Sequence, residues 1–246
     1  MNRIALVVAL LLLPAMARSG GTAPADTTMS SPAVTGESMK AVLPQGAPPD
    51  AASRPKSRYP APDSALVASL RHGGLILVFR HGQTDWAQRD SDLLNLAERS
   101  TQRNLSPEGR RIMTGVGKAI ATLGLPIGTV LASPMWRCRD TATLAFGRCD
   151  TTSALFQRGQ EYRQARVKML GTVPEVGKDD VLVTHQDQLM PILGLRREEL
   201  GEGEALVVRP EGDGKFEVLA QVTPAQWDEL AAAAAGAPSG AKGKSK

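Results

Sequence analysis

An α/β fold is predicted by three features of this 246-residue sequence. Short aliphatic runs at 75–79, 129–132 and 181–184 have the length and content of buried strands. Between them lie stretches whose apolar residues recur with helical spacing. Two of the runs end abruptly in an imidazole, Arg80-His81-Gly82 after the first and His185-Gln186-Asp187 after the last. Open α/β sheets hold ligands outside the carboxyl ends of their strands, so these two exits mark the candidate site.

The elements follow in chain order. Asp63 or Ser64 caps a helix carrying Leu66, Val67 and Leu70, and Gly73-Gly74 ends it before the first strand. Its terminal Arg71-His72-Gly73 duplicates the tripeptide of the site. At a helix end, however, a cation and an imidazole serve last-turn carbonyls, so His72 reads as a capping residue. Residues 87–104 form a polar loop near the mouth of the site. Ser106-Pro107 opens a helix with Ile112, Val116, Ile120 and Leu123 on one face, ended by Gly124 and Pro126. After the second strand, Ser133-Pro134 reads as another cap with proline at the first helical position. Residues 161–170 form an amphipathic helix with Tyr162, Ala165 and Met169 inward and Arg163, Arg166 and Lys168 outward. A short apolar helix covers 189–195. Residues 205–209 and 215–222 pair as a C-terminal hairpin, and 224–235, with Trp227 and Leu230, make a last helix.

The ends of the chain have a different character. Arg3, the apolar run 4–13 and Ala15-Met16-Ala17 form the pattern of a cleavable secretory signal over 1–17, too short for a comfortable membrane span. The expected location is therefore the periplasm or the exterior, with no stable membrane span after cleavage. Residues 18–62, rich in Pro, Ala, Ser and Thr, read as a disordered arm, and 63–223 as the folded domain. Beyond the last helix the chain to 246 reads as a disordered Ala/Gly/Lys tail. Aromatic residues are only 4% of the chain and no basic stripe carries them, which argues against nucleic acid despite a formal charge of +4. Export allows Cys138 and Cys149 to pair, but one continuous helix between them would hold their Cα atoms roughly 16 Å apart. Pairing and free thiols both stay open. Two cysteines and three histidines at these spacings suggest no zinc site, and no cofactor is expected.

The candidate site residues suit phosphoryl transfer. An imidazole nitrogen of His81 attacks phosphorus in line, and water later hydrolyses the phosphohistidine. Arg80 and an arginine of the 133–147 helix supply donor forks for the phosphoryl oxygens, and His185 supplies a further donor. A cation in a first helical turn opposes the helix dipole, so Arg137 is better explained by a shared anion than by helix stability. Spacing alone leaves Arg139 as the alternative. The leaving alkoxide needs a proton, for which Asp187 is the local carboxyl group and Glu161 the one reached through folding.

Arg80-His81-Gly82-Gln83-Thr84-Asp85-Trp86, Ser133-Pro134-Met135-Trp136-Arg137 with Thr141-Ala142, and Val183-Thr184-His185 together resemble the histidine phosphatase (phosphoglycerate mutase-like) superfamily over roughly 65–222. The resemblance implies a three-layer α/β/α fold with a mostly parallel central sheet. It also implies phosphorylation of His81 and a phosphate pocket made by Arg80, Arg137 and His185, selecting Arg137 over Arg139. Gly82, Thr84 and Gln186 are expected to line that pocket. Ala87 stands where mutase-type members carry Asn, and Gln186 where the acid-phosphatase branch carries its acidic residue, which leaves Asp187 and Glu161 as alternative proton donors. The expected activity is metal-independent hydrolysis of a small phosphomonoester. A phosphomutase and a non-catalytic phospho-ligand binding protein are the alternatives.

Overall fold

β1 (Ile76–Arg80) is apolar on both faces because helices cover both sides of the sheet it joins. Leu77 and Phe79 face one core, and Ile76 and Val78 face the other. The structure, a computed structural model, describes residues 54–236. The readings made for the signal segment, for the arm up to residue 53 and for the tail from 237 lie outside the described residues.

The order of elements is α1 (Ser64–His72), β1, α2 (Pro107–Leu123), β2 (Ile127–Ala132), α3 (Trp136–Phe146), β3 (Asp150–Thr151), a 3-10 turn, α4 (Gln160–Gly171), β4 (Asp179–Thr184), α5 (Gln186–Leu193), β5 (Ala205–Gly212), β6 (Lys215–Val222) and α6 (Pro224–Gly236). The strands form one sheet in the order β3-β2-β4-β1-β5-β6. β3, β2, β4 and β1 are mutually parallel, and the β5–β6 hairpin adds antiparallel to β1. α1, α2, α3 and α6 contribute to the core on one face, while α4, α5 and the 195–200 segment contribute to the other. The fold is the predicted three-layer α/β/α arrangement with a mostly parallel sheet.

Local chemistry explains most boundaries. Asp63 accepts the Leu66 N–H at 2.8 Å and starts α1. Gly73 ends it at φ +82, where a Cβ would lie 2.5 Å from the Gly177 backbone. His72 is the exposed last residue of α1. Ser106 and Pro107 begin α2 as predicted.

Several expectations are corrected. α3 starts at Trp136, not at Ser133-Pro134, because the Ser133 hydroxyl is drawn to His185 and accepts only the Met135 N–H, at 3.3 Å. Arg166 does not face outward. It is 3% exposed, and its guanidinium donates to the carbonyls of Ala154 and Gln157, which close the turn before α4. α5 begins directly after His185 and ends at Leu193. Cys138 and Cys149 are free thiols. Within the stretch read as a disordered arm, Arg54, Ser57 and Arg58 are hydrogen-bonded to the domain. Glu204 and Glu199 in the loop before β5 draw in the two arginines and Gln221 of β6 the serine, a tertiary partnership that composition does not reveal.

Asp179 opens β4 with no exposed surface. One carboxylate oxygen accepts the Leu75 N–H at 2.8 Å, and the other has no partner among the described residues. Burial pushes this carboxyl group up to about 7. A carboxyl group whose pKa rises on folding favours the fold while protonated, so its contribution fades as pH climbs from about 4 through about 7. Asp179→Asn should therefore flatten the loss of stability between pH 5 and pH 8, measured by urea midpoints at both values. An equally steep decline in the variant would contradict the assignment.

Candidate active site

Register brings the two strand exits together. Arg80 pairs with Thr184 across β1 and β4, so the next residues, His81 and His185, leave the sheet side by side. Their ring centroids are 5.3 Å apart at 61°, and both rings are buried. On the other flank of β4, Ala132 pairs with Val183, which brings Ser133 opposite Thr184, with its hydroxyl 2.9 Å from the His185 ring. The backbone of His81 is fixed on both sides. Its N–H donates to Thr184 at 3.0 Å, and its carbonyl accepts the Gly203 N–H at 2.8 Å.

The hydrogen bonds assign the tautomer of His81. Nδ1 lies 3.0 Å from the Gly82 carbonyl oxygen, which can only accept, so Nδ1 carries the proton and Nε2 the lone pair. Burial holds the His81 pKa well below the usual histidine range, and the Arg137 charge, His185 and Arg80 add to the depression. His185 is depressed by burial and then by Arg137, Arg80 and Arg103. Its Nε2 is 2.9 Å from the Ser133 hydroxyl. That hydroxyl also accepts the Met135 N–H at 3.3 Å, which ties His185 to the backbone before α3. Burial and the neighbouring guanidinium groups thus favour the neutral form of both rings.

Three guanidinium groups surround the pair. Arg80 is held through Nη1, which donates to Leu200 O at 2.7 Å, Glu198 Oε2 at 3.0 Å and Gln186 Oε1 at 3.0 Å. Arg137 is held through Nη1 by Asp90, at 3.0 and 3.3 Å. Arg103, 6% exposed, packs its guanidinium 4.1 Å over the Trp86 ring. It makes no side-chain hydrogen bond among the described residues, and burial and Arg137 lower its pKa. The buried Nε atoms of Arg80, Arg137 and Arg103, together with Arg103 Nη1, have no acceptor among the described residues. A buried charged donor left unsatisfied costs on the order of 1–3 kcal/mol or more. These four donors belong to the three arginines that flank the histidine pair.

Of the residues expected from the sequence, Arg80, His81, Arg137 and His185 are brought together. Arg139 is not among them, since its guanidinium lies 3.8 Å over the Trp136 ring. Gly82 donates its N–H to Thr141 Oγ1 at 2.8 Å, and that hydroxyl donates to Arg137 O, tying the first strand exit to α3. The Thr84 N–H and hydroxyl both donate to Glu202, at 3.1 and 2.9 Å, so the side chain tethers a carboxylate. Gln186 is buried and orients Arg80. Asp187 is exposed and lies 3.7 Å from Arg158, and Glu161 is exposed in the first turn of α4. No hydrogen bond or ion pair joins either one to the four central residues.

Sequence reasoning missed Arg103, Asp90, Ser133, Glu198 and Glu202. Arg103 and Asp90 sit in the polar 87–104 loop, where nothing in the local pattern separates a buried charge from a solvated one. Only Ser133 had a signal, its place directly at a strand exit. Among the described residues no group of three or more His, Cys, Asp or Glu is placed to hold a metal ion.

The chain is similar to several solved structures. The protein histidine phosphatase SixA complexed with tungstate is 16% identical, with a TM-score of 0.47 over 61% of this chain and 97% of that one. TTHB049 from Thermus thermophilus is 22% identical, with a TM-score of 0.42 over 61% and 99%. YhfR from Bacillus stearothermophilus is 16% identical, with a TM-score of 0.43 over 59% and 95%. No curated protein matches the sequence. Residues 76–166, which carry Arg80, His81, Arg103 and Arg137, match the family model of the histidine phosphatase superfamily (branch 1).

Proposed function

We propose that the protein is an exported phosphomonoester hydrolase acting through a phosphohistidine on His81. One observation carries the reading. His81 presents an unprotonated Nε2, fixed by the bond from Nδ1 to Gly82, amid buried guanidinium donors that lack acceptors among the described residues. The Nε2 lone pair forms a bond to phosphorus as the bond to the ester oxygen breaks, and that oxygen leaves with a proton. Water then attacks phosphorus, the P–N bond breaks, and inorganic phosphate departs with Nε2 restored. Arg80, Arg137 and Arg103 hold the equatorial oxygens, whose charge grows in each transition state, and His185 adds a neutral donor. Periplasmic or secreted placement rests on the signal-like segment 1–17.

The leaving-group proton requires an acid at the pocket mouth. Glu202 accepts two hydrogen bonds from Thr84 and lies 3.8 Å from Arg80, so both of its oxygens are already engaged by the protein. Asp187, next to Gln186 at the start of α5, is therefore our preferred donor, with Glu161 the second candidate. Phosphate binding without turnover is the competing reading, favoured by the exposure of both carboxyl groups.

An aryl phosphate, whose leaving group needs little protonation, separates the two. Wild-type protein should hydrolyse it and carry acid-labile phosphate on His81, and His81→Ala should abolish both. Turnover in His81→Ala, or the label on another residue, would overturn the reading. Asp187→Asn should slow an alkyl phosphate by about 100-fold or more while barely changing the aryl substrate. Equal losses on both would remove it as donor. Because Nε2 must be unprotonated and the His81 pKa is depressed, the acid limb of kcat/KM for the aryl substrate should fall below the usual histidine range. A limb at or above that range would contradict the neutral pair. Arg103→Met should weaken phosphate inhibition by about ten-fold or more, the worth of a charge-assisted hydrogen bond.

A further inference from the structure

The loop 196–204, between α5 and β5, supplies most of what stands behind the first strand exit. Leu200 O and the Glu198 carboxylate hold the Arg80 guanidinium, and Glu204 O accepts the Arg80 N–H at 3.0 Å. The Gly203 N–H holds the His81 carbonyl, and Glu202 holds Thr84. Glu198 does this from a left-handed backbone, φ +59, which is unfavourable for a residue that carries a Cβ. The conformation persists because its surroundings enforce it.

Part of that enforcement comes from the segment preceding the domain. Arg54 donates through Nε to Glu198 O at 3.2 Å and through Nη1 to Glu204 Oε1 at 2.8 Å. It thus grips the main chain of one residue whose side chain holds Arg80, and the side chain of another whose main chain holds Arg80. The guanidinium lies flat on Gly201, where a Cβ would meet it at 2.4 Å. Four residues on, Arg58 makes a two-pronged bond to Glu199, at 2.7 and 2.8 Å. Glu199 has no exposed surface, and it closes the loop on itself by accepting the Arg196 N–H at 2.7 Å. Gln221 of β6 fastens the two carboxylate-bearing residues together, donating to Glu199 O and Glu204 Oε2, and Ser57 donates to its amide oxygen.

We propose that residues 54–58 form a strap whose arginines position the catalytic loop, so that Arg54 and Arg58 act on phosphate binding and turnover through Arg80 without touching the substrate. The proposal rests on the reading of His81 and Arg80 as the phosphate site. It gives the segment that leads into the domain a role in the chemistry.

A double-mutant cycle tests it, using the full chain, vanadate or inorganic phosphate binding, and aryl phosphate turnover. Arg54→Met in the wild-type background should weaken phosphate binding and lower kcat by about 10- to 100-fold, the scale of a small misplacement of a charged donor. In an Arg80→Met background the same change should cost less than about two-fold, since effects transmitted through one group are not additive. Arg58→Met should behave alike, with partial rescue in Arg58→Lys. Gly201→Ala, which displaces the Arg54 guanidinium without removing a charge, should reproduce the Arg54→Met loss. Equal losses in both backgrounds, or lowered thermal stability with unchanged binding and kcat, would overturn the strap. Failure of the wild-type protein to bind phosphate or vanadate would overturn the reading of the site, and the strap with it.

Discussion

Three guanidinium groups and two imidazoles lie buried close together, and the electrostatics of that crowding constrain the rest of the molecule. Like charges brought into a poorly screened interior repel by energies of a few kcal/mol. The effect is visible in the groups themselves: Arg137 depresses both histidines and also Arg103. Carboxylates relieve the repulsion from behind, Asp90 on Arg137 and Glu198 on Arg80. Each is engaged through Nη1, which leaves Nε of both arginines unsatisfied. The carboxylates keep these cations in place without satisfying every donor, and the cost to stability falls at the candidate site.

The sheet provides the geometry that makes this crowding possible. Parallel pairing of β4 with β1 ends both strands at one level, so His81 and His185 emerge side by side, and β2 ends one residue earlier with Ser133 beside Thr184. α3 follows β2 and starts close enough for Arg137 to join them, and Thr141 one turn later locks its helix to Gly82. Cys138 lies in the same turn, 3.6 Å from His185 Nε2, but burial raises its thiol to about 12 and it stays a neutral packing residue. The antiparallel hairpin beyond β1 brings the loop 196–204 against the opposite flank of the site.

The loop 87–104 contributes in a different way. It contains no helix or strand, yet Asp90, Gln102 and Arg103 within it are buried. Its shape is set by polar side chains bonding to main chain. Asp90 accepts the Arg103 N–H at 2.9 Å while holding Arg137, and Gln102 accepts the Trp136 N–H at the start of α3. Trp136, gripped between Arg99 and Arg139, pins the loop to the same helix. The wall of the pocket and the arginine it presents are thus fixed by one set of contacts.

The sequence by itself determined the elements whose cause is local. Aliphatic runs ending in Arg80-His81 and His185 place two imidazoles at strand exits, because burial on both faces demands such runs and only their ends can carry polar groups. The caps at Asp63 and Ser106 and the stop at Gly73 are equally local, as are the hairpin and last helix after residue 205. What only the tertiary structure decided were partnerships between distant residues. Arg103 and Arg166 look like solvated cations in sequence, and each is buried by a fold that supplies a tryptophan face or two carbonyls. Arg54 and Arg58 sit in a stretch whose composition signals disorder, and they are drawn in by Glu204 and Glu199, 150 and 141 residues further along the chain. A charged side chain becomes buried where another part of the chain meets it, and no local pattern encodes that meeting.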